Sequence, residues 1–255
     1  MFFYIPVFLF GLVIGSFLNV CIYRLPRGES VVFPSSKCPS CGSSIKAYDN
    51  VPLLSYLILR GRCRSCGSRI SKRYPLVEFL NGLLYVMVLW RYGMGVTALV
   101  FMLYMSALIV ITFIDLDFQI IPDVITLPGT MLSILAGSLF LKDPFLRFAA
   151  LGWRASVIGA VLGFGLFYAI AVLSRGGMGG GDIKMMAMVG ALTGWKGVLL
   201  TTFLGSLIGS LVGIYLMLLK GKGRKTKIPF GPYLAAGSAV TVLFGQEILR
   251  LYLGG

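Results

Sequence analysis

The chain has 255 residues, of which 57% are hydrophobic and 13% charged, and its mean hydropathy is +0.89. That apolar share excludes a soluble enzyme of this size and an intrinsically disordered chain alike. There is no histidine, which removes Ser-His-Asp hydrolases, Cys-His proteases, HExxH metalloproteases and histidine-ligated metal sites. A net charge of +14, from 23 Lys+Arg against 9 Asp+Glu, points on so apolar a chain to membrane topology and contact with the lipid bilayer rather than to nucleic acid.

A bilayer core takes about 20 apolar residues as a helix. The first candidate span, 2–23, lacks a basic start and a small-residue cleavage site and runs straight into a basic loop, so it reads as a retained helix and not as a signal peptide. Residues 24–74 form the one sizeable polar segment. Further spans are expected at 75–91, 96–114, 124–141, 155–173, 183–195, 197–219 and 229–254. The sixth of the eight covers about 20 Å at the rise of an α-helix, and must be short, tilted or shielded by its neighbours. The expected fold class is an all-α polytopic membrane protein with a small loop domain after its first helix, divided into 1–23, 24–74 and 75–255. No internal repeat or low-complexity segment interrupts it, and the oligomeric state is left open.

Lysine and arginine set the orientation. With eight spans, one side holds 24–74, 115–123, 174–182 and 220–228. It collects ten Lys+Arg between Arg24 and Arg73, five more at Lys220, Lys222, Arg224, Lys225 and Lys227, and Arg175 with Lys184 at the loop edge. The opposite side has Arg91, Lys142, Arg147, Arg154, Lys196 and Arg250. The first side is therefore expected in the cytoplasm, with both termini outside.

The cytoplasmic segment contains Cys38-Pro-Ser-Cys41-Gly and Cys63-Arg-Ser-Cys66-Gly. Each CxxC turn sets two sulfurs on one side of a knuckle, and four thiolates close a tetrahedron around zinc. A short polar loop cannot build its own core, so a structural Zn2+ is a plausible organiser, with no coordination position left open for catalysis. Disulfides or four unligated thiols are the alternatives, and the cytoplasmic side disfavours the former. Cys21, inside the first span, reads as packing.

Nine acids remain. Glu29 and Asp49 fall in the loop, Asp143 and Glu247 near the outer face, and Glu78 just inside the second span. Asp115, Asp117 and Asp123 cluster where the third span ends. Asp182 precedes the sixth, after Gly176-Gly177-Met178-Gly179-Gly180-Gly181. Asp115 and Asp182 thus share one side and one depth. Acids at the edge of hydrocarbon default to function. Two in one site cannot both ionise, which suits paired acid and base work on a peptide bond. Glycines there allow backbone to approach closely. Capping of a helix is the structural alternative for Asp115 and Asp182, and the favoured reading for Asp117 and Asp123. The glycine run is not a dinucleotide fingerprint, since it follows a membrane helix and not a strand.

Five motifs in this order resemble the type IV prepilin peptidases, also called leader peptidase/N-methyltransferases. They are Gly15-Ser16-Phe17-Leu18-Asn19-Val20 with Tyr23-Arg24-Leu25-Pro26; the paired CxxC knuckles with Arg73-Tyr74-Pro75-Leu76-Val77-Glu78; Ile114-Asp115 with Ile121-Pro122-Asp123; Gly179-Gly180-Gly181-Asp182-Ile183-Lys184, matching the GxGD signature; and Pro229-Phe230-Gly231-Pro232. The resemblance spans essentially the whole chain. It implies a GxGD-type membrane aspartic peptidase that removes the basic leader of type IV prepilins and pseudopilins at the cytoplasmic face of the bacterial inner membrane. The same resemblance implies N-methylation of the new terminus with S-adenosylmethionine, linked to the N-terminal cytoplasmic domain.

Carried onto this sequence, the catalytic pair is Asp115 and Asp182, supported by Gly179, Gly181 and Lys184. Lys184 either balances charge in the site or anchors a helix end. Glu78 is a candidate for the methyltransferase half, with a buried interhelical contact as its alternative. Gly15 to Asn19 could equally serve helix packing, and Pro229 to Pro232 either lines the site or starts the last helix. Two rivals stand beside this reading. One is a peptidase without methylation, since no standard nucleotide fold is visible in 24–74. The other is an ion-coupled transporter, which also uses intramembrane acids and broken helices but shows no inverted repeat here and needs no four-cysteine knuckle.

Overall fold

In a computed structural model, residues 3–146, 149–174, 177–220 and 229–253 are described, those at 219, 220 and 253 by backbone alone. Arg147, Arg175, Gly176, Lys222, Arg224, Lys225 and Lys227, used above for orientation and for the glycine run, lie outside the described residues, and for Lys220 only the backbone is described. The helices are α1 (Tyr4–Arg24), α2 (Leu54–Ile58), α3 (Arg73–Tyr92), α4 (Val96–Phe118), α5 (Asp123–Leu139), α6 (Gly152–Leu173), α7 (Gly180–Lys220) and α8 (Gly231–Leu253). Among the described residues the only β pairing is three isolated bridges.

Each predicted span is helical in the structure, with one physical difference. The sixth and seventh are two arms of α7, bent at Gly194 (φ 68°, ψ −176°). The short sixth segment is therefore one arm of a kinked rod, broken at a residue that tolerates positive φ. Among the described residues, five helical stretches are long and apolar enough to cross a bilayer: Tyr4–Arg27, Val96–Phe118, Gly152–Leu173, Gly180–Leu218 and Gly231–Tyr252. Helix α5 is apolar but shorter. This is a multi-pass, all-α membrane protein.

The chain forms two units. The first comprises 1–94 with 102–110, and the second 95–101 with 111–255. Within the first, α1 packs on α3 through small residues. A Cβ at Gly15 would stand 2.6 Å from Glu78 Cα, and one at Gly11 2.7 Å from Gly82 Cα, so backbone touches backbone as in close membrane helix pairs. The seam is polar and satisfied. Asn81 donates to Gly11 O at 2.7 Å and Asn19 to Tyr74 O at 3.1 Å. Ser106 donates to Asn81 Oδ1 at 2.9 Å, and the Tyr85 hydroxyl meets Ser106 Oγ at 2.9 Å. Each buried polar group that finds such a partner avoids a desolvation cost of about 1–3 kcal/mol.

Within the second unit, α7 packs on α5, α6 and α8. Gly159 of α6 lies against the Gly190 carbonyl of α7, and Ser156 Oγ donates to Ala191 O at 2.7 Å. The N-terminal arm of α7 is the centre of this unit: Met185, Met186, Val189 and Ala191 are fully buried. A helix so enclosed gives fixed support to whatever its first turn carries.

Candidate active site and metal centre

The acid site is built at helix ends of the second unit. Helix α4 stops at Gln119, in the left-handed region (φ 54°), whose N–H returns to Asp115 O at 2.9 Å. Pro122 is extended and gives way to α5, with Asp123 in its first turn, where a carboxylate is favoured by the helix dipole. Helix α7 begins after Gly179, whose carbonyl accepts the Asp182 N–H at 3.1 Å, and Asp182 lies in its first turn.

Asp115 and Asp182 are both buried, at 6% and 7% exposure. The N–H of Gly231, at the start of α8, donates to Asp115 Oδ2 at 3.0 Å. A Cβ on Gly231 would sit 2.7 Å from that oxygen, so the hydrogen bond depends on glycine. Ile121, in the connector between α4 and α5, is buried. A Cβ on Gly181 would come 2.6 Å from Ile121 Cβ, and one on Gly231 3.1 Å from its Cδ1. Ile121 therefore joins the two backbone segments beside the acids. Gly179 borders the other side, 3.5 Å from Asp182 Oδ2 to where its Cβ would be. Asp182 Oδ1 is buried with no hydrogen-bond partner among the described residues. Native structures rarely leave such an oxygen unmatched.

The structure thus brings Asp115, Asp182, Gly179 and Gly181 together and adds Ile121 and Gly231, which sequence reasoning placed in motifs but gave no contacts. Lys184 faces elsewhere. Its Nζ lies 2.8 and 2.7 Å from the two oxygens of Asp123. Asp117 is exposed on α4.

The cysteines form a second constellation, in the first unit. The two knuckles repeat one geometry. Cys38 N–H donates to Ser43 O at 2.9 Å and Gly42 N–H to Cys38 O at 2.9 Å; Cys63 N–H to Ser68 O at 2.8 Å and Gly67 N–H to Cys63 O at 2.9 Å. Gly42 and Gly67 both have φ 71°. The four Sγ atoms of Cys38, Cys41, Cys63 and Cys66 lie within 4.8 Å of one another, with Cys38 to Cys66 at 3.9 Å. Four sulfurs about 2.3 Å from one zinc would stand about 3.8 Å apart, so the donor set could hold such a metal. All are free of disulfides. Backbone N–H groups of Cys41 and Ser40 push the Cys38 thiol down to about 6, toward the thiolate that binds metal.

Arg64, inside the second knuckle, clasps Asp49 (Nη2–Oδ1 2.6 Å) and holds its carboxyl below the usual range. Helix α2 starts at Leu53 (φ 58°), whose N–H donates to Glu78 Oε2 at 2.9 Å. Glu78 is 7% exposed. The carboxylate thus ties the polar segment to the α1–α3 seam.

The family described as Bacterial Peptidase A24 N-terminal domain matches residues 9–92, and the Type IV leader peptidase family matches residues 102–214. The chain is 39% identical over 265 residues to the prepilin leader peptidase/N-methyltransferase of Pseudomonas putida, covering 93% of this chain and 89% of that one. It is 40% identical over 280 residues to the protein of that name from Aeromonas hydrophila (97% and 92% covered). With its Bacillus subtilis namesake it shares 34% over 252 residues (97% and 96%). No solved structure matches the chain. On the two family matches and on identity along nearly its whole length, this chain belongs to the type IV leader peptidase family.

Proposed function

We propose that this protein removes the leader from prepilins and pseudopilins with Asp115 and Asp182, and then N-methylates the new terminus. The observation that carries the peptidase half is the buried Asp182 Oδ1 with no partner, beside an Asp115 oxygen held by Gly231 N–H. One carboxylate is anchored and the other has a vacant acceptor, which suits a reacting water and a peptide carbonyl. The pair holds one proton between its two acids. The ionised acid takes a proton from water as the oxygen attacks the carbonyl carbon. The protonated acid gives its proton to the carbonyl oxygen. Collapse of the tetrahedral species breaks the C–N bond, and a proton passes to the leaving amine.

The positive-inside distribution supports placing this site at the cytoplasmic face, with both termini outside. The expected division of labour keeps 24–74 as the metal-bearing, methyltransferase-associated segment and 75–255 as the peptidase. Zinc in the Cys38, Cys41, Cys63 and Cys66 set would supply a structural cross-link. Chelation is expected to release about one zinc per chain and to make 24–74 sensitive to protease while leader cleavage persists; loss of cleavage on metal removal would tie the metal to peptidase chemistry. S-adenosylmethionine would be the methyl donor. Glu78 remains the candidate acid for that half, acting through its hold on Leu53 N–H, and no step of methyl transfer is assigned to another residue.

Purified protein incubated with a prepilin, with and without S-adenosylmethionine, decides both halves by mass spectrometry. The expected product is the leaderless chain, 14 Da heavier when the methyl donor is present, the mass of one CH2. Full cleavage by either Asp115→Asn or Asp182→Asn would end the two-acid reading. Cleavage without methylation would leave a peptidase alone.

A further inference from the structure

The proposed chemistry uses Asp115 and Asp182 and leaves one feature beside them without a role: the ion pair of Lys184 with Asp123. Asp123 follows directly on the connector 119–122. Lys184 stands two residues beyond Asp182 on α7. Its Nζ reaches both Asp123 oxygens, at 2.8 and 2.7 Å, and the two side chains are 35% and 54% exposed. Two residues before Asp123, Ile121 is buried against Gly181 and Gly231. The same short segment is therefore fastened to α7 twice, by charge at the rim and by apolar contact inside. Gly231, the second glycine against Ile121, is also the donor that fixes Asp115. A shift of the connector would move Ile121, and with it the backbone that holds one acid beside the other.

We propose that Asp123 and Lys184 are a positioning pair, a clasp that sets the connector on α7 so that Asp115 and Asp182 keep their working separation. The inference rests on those two acids doing the cleavage. Neither clasp residue touches the reacting atoms. An ion pair this exposed acts weakly, so its loss misaligns the site without unfolding the protein. Misplacement lowers turnover and leaves substrate binding nearly unchanged.

The test uses the full-length protein in lipid nanodiscs, a prepilin substrate, and the variants Asp123→Asn, Lys184→Gln, their double, Asp123→Glu and Lys184→Arg. Each neutral single variant is expected to lower kcat about 2- to 5-fold, the range open to an exposed pair, with KM changed by less than about twofold. The double variant should be no worse than either single, because both remove one interaction. Glu and Arg replacements should recover most of the loss. Amide exchange over 119–122 should quicken in the neutral variants only, a readout that needs no activity. High salt should reduce the wild-type advantage.

Additive losses in the double, a Lys184→Gln defect far larger than that of Asp123→Asn, or unchanged exchange at 119–122 would each overturn the clasp. Asp115→Asn and Asp182→Asn run in the same assay separate the two failures. If they still cleave, the catalytic reading falls; if they are dead while the double is additive, the clasp alone falls.

Discussion

Glu78 and Asp182 are equally buried, at 7% exposure each, and each lies where glycine lets backbone come close. What surrounds them differs. Glu78 Oε2 receives the Leu53 N–H in a seam where Asn19, Asn81, Tyr85 and Ser106 are all matched. Asp182 Oδ1 receives nothing among the described residues, although the structure supplies an N–H to its neighbour Asp115. Burial therefore does not separate a structural acid from a chemical one. Between these two, satisfaction does: Glu78 has its partner built in, and Asp182 keeps an open acceptor for a ligand that comes and goes.

The strongest way to break this comparison is Asp182→Asn. The amide is the same size, so burial and packing are kept, and the protein should reach the membrane in normal amount with unchanged helical circular dichroism. Leader cleavage should fall by at least about 1,000-fold, the scale on which a reacting group is lost. Retained cleavage would show that the open oxygen marks no chemistry. Next in size is Gly181→Ala. Its methyl would stand 2.6 Å from Ile121 Cβ, displacing the connector by a fraction of an ångström beside both acids. A shift of that order costs up to about 100-fold in kcat, alongside a stability loss of about 1–3 kcal/mol from overpacking.

Local pattern made the helices legible: each predicted apolar segment is helical, and the placing of Asp115 near the end of α4 and of Asp182 in the first turn of α7 follows from that pattern. The two CxxC knuckles were legible for the same reason, since Cys38 to Cys41 and Cys63 to Cys66 each build their turn from adjacent residues. Hidden features all depend on contacts distant in sequence. Gly231 N–H reaches Asp115 across 116 residues, and Lys184 reaches Asp123 across 61. A proline-bounded motif marked Gly231 as notable without saying what its N–H would hold. The short sixth span is the N-terminal arm of α7; hydropathy shows where a run of apolar residues pauses, while the bend that ends the arm depends on a single φ at Gly194.

The seam around Glu78 should answer differently. Gly15→Val would drive a branched side chain into Glu78 Cα, 2.6 Å from the new Cβ, and part α1 from α3. Overpacking of this kind costs about 1–3 kcal/mol, read as a lower unfolding temperature and a smaller yield. Cleavage per folded molecule should change by less than about threefold, because the acids belong to the other unit. A Gly15→Val protein of normal stability with dead cleavage would reverse the roles assigned to the two regions.

The smallest effect sharpens the comparison most, because it repeats the Asp182 substitution on the satisfied acid. Glu78→Gln also exchanges a carboxylate for an amide of equal size. Its carbonyl oxygen can still accept the Leu53 N–H, so what is lost is only the extra strength of a charged acceptor, about 1 kcal/mol. Cleavage should stay within about twofold of wild type and unfolding should shift by a few degrees. Glu78→Ala removes the acceptor altogether, leaves the half-buried Leu53 N–H without that partner, and should lower methyl transfer to a pre-cleaved pilin by about 10-fold while Gln spares it. The contrast between Gln and Ala at one position then isolates the clamp: a Gln variant that lost methyl transfer as fully as Ala would mean that the charge itself, and not the grip on Leu53, is what Glu78 contributes.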